Sequence, residues 1–132
     1  MKLITFTDGG ARGNPGPAAA GIVIKDESGK TLSSFGVYLG EQTNNVAEYT
    51  ALLEALIKAL KLGATEVECF LDSELVVKQM RREYKVKEPA LQKLFIKVYN
   101  AAGAFKKVTY RHIPREKNKE ADAEVNKTLD NQ

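Results

Sequence analysis

From Lys2 to Thr7 the chain alternates, with Ile4 and Phe6 on the same side as Asp8, and the alternation runs into Asp8-Gly9-Gly10, a turn composition. That pattern predicts a first strand ending just before Asp8. Two further strands are predicted at Ala19 to Lys25 and Thr31 to Leu39, joined by the hairpin composition Asp26-Glu27-Ser28-Gly29, so the first three strands form an antiparallel meander. From Val46 to Leu62 the spacing changes: Leu52, Leu53, Leu56, Ile57 and Leu60 fall on one helical face, and Gly63 is placed to end the helix. Val67 to Leu71 is a short apolar strand that a right-handed crossover makes parallel to an earlier one. Asp72-Ser73 opens a helix over Leu75 to Arg82, and a second follows at Pro89 to Ala102. Lys107 to Ile113 is a last strand and Lys119 to Leu129 a closing helix. The order β-β-β-α-β-α-α-β-α predicts an α/β fold, a mixed five-stranded sheet of three antiparallel strands then two parallel ones, flanked by helices.

A chain of 132 residues supports one domain, taken as 1–132. No apolar stretch approaches the roughly 18 residues that span a bilayer, and Met1-Lys2-Leu3 runs straight into the first strand, so a cytoplasmic protein without a membrane partner is expected. Cys69, the single cysteine, lies in an apolar run and is expected to be packing. The net charge of +3 conceals an uneven distribution. Residues 1–77 carry 6 Lys/Arg against 10 Asp/Glu, residues 78–119 carry 13 against 3, and residues 120–132 carry 1 against 4. A basic segment between acidic ones suits a polyanion-binding surface beside an acidic site; a lysine-rich solvated helix face explains the charge equally well.

Four acids fall at element ends: Asp8 after strand one, Glu48 in the first turns of the main helix, Asp72 after strand four, and Asp122 near the start of the last helix. Open α/β sheets place their sites at the carboxyl ends of strands. Glu48 shares a helical face with Ala51, Leu52 and Ala55, and Asp122 with Val125, Asn126 and Leu129, so both are expected to point inward. Burying a carboxylate is costly unless a cation or metal pairs with it. Each acid has a structural alternative: Asp8 as a turn residue, Asp72 as a helix N-cap, Glu48 and Asp122 as partners of a helix dipole. Taken together, those alternatives leave two acids on inward faces unexplained.

The segment Phe6-Thr7-Asp8-Gly9-Gly10-Ala11-Arg12-Gly13-Asn14-Pro15-Gly16 resembles the opening motif of type 1 ribonuclease H, and Thr43-Asn44-Asn45-Val46-Ala47-Glu48 resembles its second. Leu71-Asp72-Ser73 is similar to the third motif, and His112 through Asn118 to Ala121-Asp122 to the fourth, in family order over nearly the whole chain. The resemblance implies an endonuclease that hydrolyses the RNA strand of an RNA/DNA hybrid and leaves 3′-hydroxyl and 5′-phosphate ends. It makes Asp8, Glu48, Asp72 and Asp122 the catalytic, metal-binding set for two Mg²⁺ ions, with Mn²⁺ as a substitute, and Asp8 the bridge between them. Carboxylates are suitable hard oxygen ligands for such ions, which stabilise both the attacking and the leaving oxygen in phosphodiester hydrolysis.

The resemblance also makes His112, the only histidine, a proton carrier or product-release aid, a role suited to imidazole. It places Asn14, Asn44 and Asn45 in the minor groove, where the 2′-hydroxyl distinguishes RNA from DNA. Thr43 is similar to a residue that grips a DNA-strand phosphate, although it also suits an N-cap. Ser73, Lys85 and Lys87 complete the expected substrate-binding set, and the protein is expected to act as a monomer. The chain departs from members with a basic handle: it has no Trp and only a short stretch from Arg81 to Pro89, which leaves Lys78, Arg81, Arg82, Lys85 and Lys87 as a smaller phosphate surface. Glu74 stands where some relatives carry glutamine. Two other readings are open: a catalytically weak nucleic-acid-binding domain of the same fold, and a nucleotide-binding domain. The second fits poorly, since Gly10, Gly13 and Gly16 miss the dinucleotide spacing and the second element is a strand.

Overall fold

The computed structural model describes all 132 residues. In chain order the elements are β1 (Lys2–Ala11), β2 (Gly16–Asp26), β3 (Thr31–Gln42), α1 (Asn44–Lys61), β4 (Glu66–Leu71), α2 (Glu74–Met80), α3 (Pro89–Ala102), β5 (Lys107–His112) and α4 (Lys119–Asp130), with one 3-10 turn at Arg115–Lys117. The sheet order is β3-β2-β1-β4-β5; β1 to β3 are antiparallel, and β4 and β5 run parallel to β1. This is the expected mixed sheet. A cluster of 20 buried residues, including Leu3, Ile22, Leu52, Leu56 and Val67, fills the space between one sheet face and helices α1 to α3. On the other face α4 lies across β2, β3 and β1, burying Val125 and Leu129 against Ala19. Cys69 is fully buried, and burial pushes its thiol up to about 12, in keeping with packing.

The first strand is longer than the alternation suggests. Asp8, Gly9 and Gly10 do not turn; they stay paired with Gly21, Ala20 and Ala19 of β2. The glycine at position 9 serves close approach, because a Cβ there would overlap the backbone of Ala47 and Glu48. Gly21 does the same for α4, where a Cβ would collide with the Ala121 carbonyl. Two glycines in the sheet thus let the helices carrying Glu48 and Asp122 settle onto the strands. On α1 the expected apolar stripe is rotated. Ile57 and Leu60 are 39% and 47% exposed, and the buried face is built from Ala47, Ala51, Leu52, Ala55, Leu56 and Ala59. Small alanines bring the helix axis near the sheet, so the bulkier side chains are displaced to its flanks.

The second helix is shorter than expected, ending at Met80 with Arg81 as its C-cap, and Arg82 next adopts φ 63°. Its N-cap is Ser73, whose hydroxyl accepts from the Val76 N–H at 3.2 Å. Asp72 is therefore not the cap.

Candidate active site

Strand register brings the first two acids together. Phe6 pairs with Phe70 across β1 and β4, their rings stack with centroids 5.2 Å apart, and the last parallel pair is Thr7 with Leu71. Side chains two positions on point to the same face of a strand, so Asp8 and Asp72 follow the stacked rings side by side. Glu48 reaches the same point from α1, its carboxylate accepting from the Gly9 N–H. Oxygens of Asp8, Glu48 and Asp72 all lie within 4.8 Å of one another. Asp122 joins them through α4 and lines the same cavity of about 550 Å³, within side-chain hydrogen-bonding reach of Asp8. It stands at the rim, with a side chain 34% exposed, because Ala121 and Val125 occupy the buried face of α4. The inward position expected for Asp122 is thus only partly realised.

Crowding sets the electrostatics. Asp8 is pushed up to about 7, first by burial and then by the Asp72 charge, with further upward contributions from Asp122 offset in part by a hydrogen bond with Glu48. Glu48 is also held well above the usual carboxylate range, by burial first and then by the Asp8 and Asp72 charges. No lysine or arginine pairs with Asp8, Glu48 or Asp72; the one ion pair to the four acids is that of Arg115 with Asp122, at 3.8 Å. Converging buried carboxylates with hard oxygen donors and no protein counter-charge fit a divalent metal site.

This crowding makes stability depend on pH. A carboxyl raised from 3.8 to about 7 retains a proton in the folded state that the unfolded chain has already released, so the metal-free protein should lose stability as pH rises from about 4 to about 7. The deprotonated carboxylates would be favoured with a divalent cation bound among them, which should restore the loss. Calorimetric melting between pH 5 and 8, with chelator or with Mg²⁺, checks this: Tm should fall with pH only in chelator, and Asp8→Asn should flatten the fall. Melting that ignores both the cation and the substitution would contradict the assignment.

Asn118 was not among the expected site residues, yet it ties the site together. It is 1% exposed, its Nδ2 donates to the Thr7 carbonyl at 2.7 Å and to Asp72 Oδ2 at 3.1 Å, and its own carbonyl accepts from the Asp122 N–H. The side-chain amide thus ties the acid after β4 to β1, while the backbone carbonyl of the same residue opens the helix that carries Asp122. A buried asparagine of this kind reads as an ordinary loop residue; the only signal was its place four positions before Asp122.

The other expected residues divide. Asn44, Asn45 and Ser73 line the carboxylate cavity. Asn14 Oδ1 accepts from the Asn44 N–H at 3.0 Å, and Asn44 Oδ1 accepts from the Ala11 N–H at 2.9 Å, so the two loops are stapled. Both amide oxygens are engaged by backbone, which leaves the Nδ2 groups as donors. Thr43 is the N-cap of α1, accepting from the Val46 N–H at 3.2 Å. His112 ends β5 opposite Leu71, exposed and outside the cavity lining; it lies on the side of Glu74, whose carboxylate is held low chiefly by Lys78 and to a lesser degree by His112. Lys85 and Lys87 also lie outside the cavity, in the loop between α2 and α3 beside Tyr84.

The sequence pattern of the reverse transcriptase-like family matches residues 6–128. A ribonuclease HI of Halobacterium salinarum is 37% identical over 129 residues, covering 98% of this chain and 65% of that protein. The chain belongs to the ribonuclease H family. A bifunctional protein of Mycobacterium tuberculosis is 44% identical over 131 residues, 98% of this chain. The chain spans 36% of the length of that relative. Among solved structures, RNase H1 of Halobacterium salinarum superposes with a TM-score of 0.98 at 36% identity, covering 100% of both chains. LC11-RNase H1, solved in complex with an RNA/DNA hybrid, superposes with a TM-score of 0.94 at 49% identity, covering 98% of this chain and 97% of that one. The ribonuclease H fold therefore extends over the whole of this chain. No helix is long and apolar enough to cross a membrane.

Proposed function

We propose that residues 1–132 form one ribonuclease H domain that hydrolyses the RNA strand of RNA/DNA hybrids, leaving 3′-hydroxyl and 5′-phosphate ends. The observation that carries the reading is the convergence of Asp8, Glu48 and Asp72 within 4.8 Å, with Asp122 at its rim, in a chain of this family. Asp8, Glu48, Asp72 and Asp122 would hold two Mg²⁺ ions, or Mn²⁺ in their place. Bound there, the pair supplies charge stabilisation for the attacking and leaving oxygens of an in-line displacement. Asn118 keeps the Asp72 carboxylate turned toward Asp8, and Ser73, by capping α2, leaves Asp72 free of that duty. The Nδ2 groups of Asn14 and Asn44, with Asn45, face the substrate as donors to 2′-hydroxyls. Gel analysis of one end-labelled hybrid, with and without Mg²⁺, tests the reading: metal-dependent shortening of the RNA strand alone is expected, and an intact RNA strand would refute it.

His112 stands beside the site and not in it, which suits a proton carrier on the product side. His112→Ala should lower turnover by roughly 10²-fold or less, the range of a positioned proton-transfer group, with metal affinity kept. A loss as deep as that of a metal ligand would contradict the auxiliary role.

The basic segment is partly committed to the protein itself. Lys78 pairs with Glu74 at 3.0 Å, Arg81 with Glu83 at 3.2 Å, and Arg82 lies 5.2 Å from the centre of the Tyr99 ring. Lys85 and Lys87 have no ion pair. Neutralising Arg81, Arg82, Lys85 and Lys87 together should make the log-log salt dependence of hybrid binding shallower, by somewhat under 1 for each phosphate no longer neutralised, with most of the change from Lys85 and Lys87. An unchanged slope would make the segment a solvated face.

A further inference from the structure

Two cations line the carboxylate cavity, Arg12 and Arg115, and metal binding by the four acids uses neither. Both are anchored to α4. Arg12 reaches Asp130 Oδ1 at 2.5 Å with its side chain 50% exposed, and Arg115 lies 3.8 Å from Asp122 Oδ1 with its side chain 81% exposed. Asp122 and Asp130 are 8 residues apart along the helix, about 12 Å at roughly 1.5 Å per residue. Partner acids about two turns apart on one helix set the two guanidinium groups near different turns of α4, a placement suited to two different phosphates.

The root of Arg12 is fixed. Its N–H donates to the Pro17 carbonyl at 2.8 Å, and the preceding Ala11 N–H is held by Asn44. Only the side chain is free to change partner. An exposed, salt-screened ion pair such as Arg12 with Asp130 contributes little to stability. A guanidinium fork, by contrast, matches a phosphate with paired hydrogen bonds. The need for it is electrostatic: a polyanion approaching four carboxylates is repelled at every phosphate that the metal site does not neutralise.

We propose that Arg12 and Arg115 grip two different backbone phosphates of the strand presented to Asp8, Glu48 and Asp72, with Asp130 holding the Arg12 guanidinium at the cavity until a phosphate displaces it. Arg12 and Arg115 are binding residues; Asp130 is the competing carboxylate that occupies the Arg12 guanidinium when no phosphate is present. The inference rests on the hybrid-cleaving reading above.

The test measures kcat/KM against salt on short hybrids, each carrying one neutral methylphosphonate in place of a phosphate. Arg12→Met should lower kcat/KM about tenfold at low salt, the lower end for a charge-assisted hydrogen bond, and make the salt slope shallower by somewhat under 1. One methylphosphonate position should cost the wild type a similar factor and cost Arg12→Met nothing, the non-additivity of two directly interacting groups. Arg115→Met should lose sensitivity at a different position. Asp130→Asn should raise kcat/KM at low salt by removing the competing carboxylate, while both Arg12→Met and Asp130→Asn melt alike. If Arg12→Met and Asp130→Asn lose activity together, or if Arg12→Met keeps the wild-type slope, the pair is structural and the proposal fails. A wild-type chain that cuts no hybrid would instead overturn the cleavage reading itself.

Discussion

Asp8→Asn should reduce hybrid cleavage by about a thousandfold or more while making the metal-free protein more stable, not less. Removing a ligand of a Lewis-acid centre forfeits several kcal/mol of transition-state stabilisation, and each ~1.4 kcal/mol is tenfold in rate. Asparagine keeps the volume of the side chain, so the neighbours of this buried position, Gly9 and the Glu48 carboxylate, are not displaced. What disappears is a charge that burial and Asp72 already disfavour, as its elevation to about 7 indicates. Above that pH the wild type carries the repulsion and the variant does not, so the variant's Tm in chelator should exceed the wild type's at pH 8. Asp72→Asn should behave alike in cleavage. Asp122→Asn should lose less, since that side chain is 34% exposed and lies outside the tight group of three. Turnover is measured on a labelled hybrid with Mg²⁺, and melting in its absence. Near wild-type turnover for Asp8→Asn would remove the metal-site assignment; lost activity accompanied by lost stability would point to structural damage instead.

Much of the architecture was legible because it rests on periodicity, which is local. Alternation marked β1, the hairpin composition between them set off β2 and β3, a short apolar run marked β4, helical spacing marked α1, and the parallel placement of β4 followed from crossover handedness. The four acids could be seen at element ends for the same reason. Packing between elements was not legible. Asp8-Gly9-Gly10 reads as a turn from composition, yet the strand continues because α1 descends onto Gly9, a constraint visible only when the helix is in place. Leu60 and Ile57 count as core by hydropathy, while alanines form much of the true packing face of α1. Asp72 and Ser73 are equally good caps on paper; the choice of Ser73 is what leaves Asp72 for the site. Asn118, whose single amide spans β1 and the Asp72 carboxylate after β4, shows nothing in its local pattern that marks it as buried.

The loops around Asn14 and Asn44 lead to an expectation about substrate length. Cleavage should be efficient within a run of ribonucleotides paired to DNA and poorer by orders of magnitude at a single ribonucleotide embedded in duplex DNA. Asn14 comes from the β1–β2 loop and Asn44 and Asn45 from the start of α1, and the two loops are locked together by the Asn14 to Asn44 and Asn44 to Ala11 hydrogen bonds. Because those bonds consume both side-chain oxygens, the loops cannot readjust separately to follow one ribose; their Nδ2 donors are presented as a fixed set. On the proposed reading, donors from two loops would sample 2′-hydroxyls on more than one nucleotide, and a lone ribose would satisfy only part of the set. Each desolvated amide left without a partner costs about 1–3 kcal/mol, so two unmade bonds correspond to a rate loss of roughly 30-fold to more than 10⁴-fold. Matched duplexes carrying one ribonucleotide or an unbroken RNA strand provide the comparison, with Asn14→Ala and Asn44→Ala expected to narrow the gap. Comparable rates on the two substrates for the unaltered protein would overturn the stapled-loop account of recognition and, with it, the type 1 character of the enzyme.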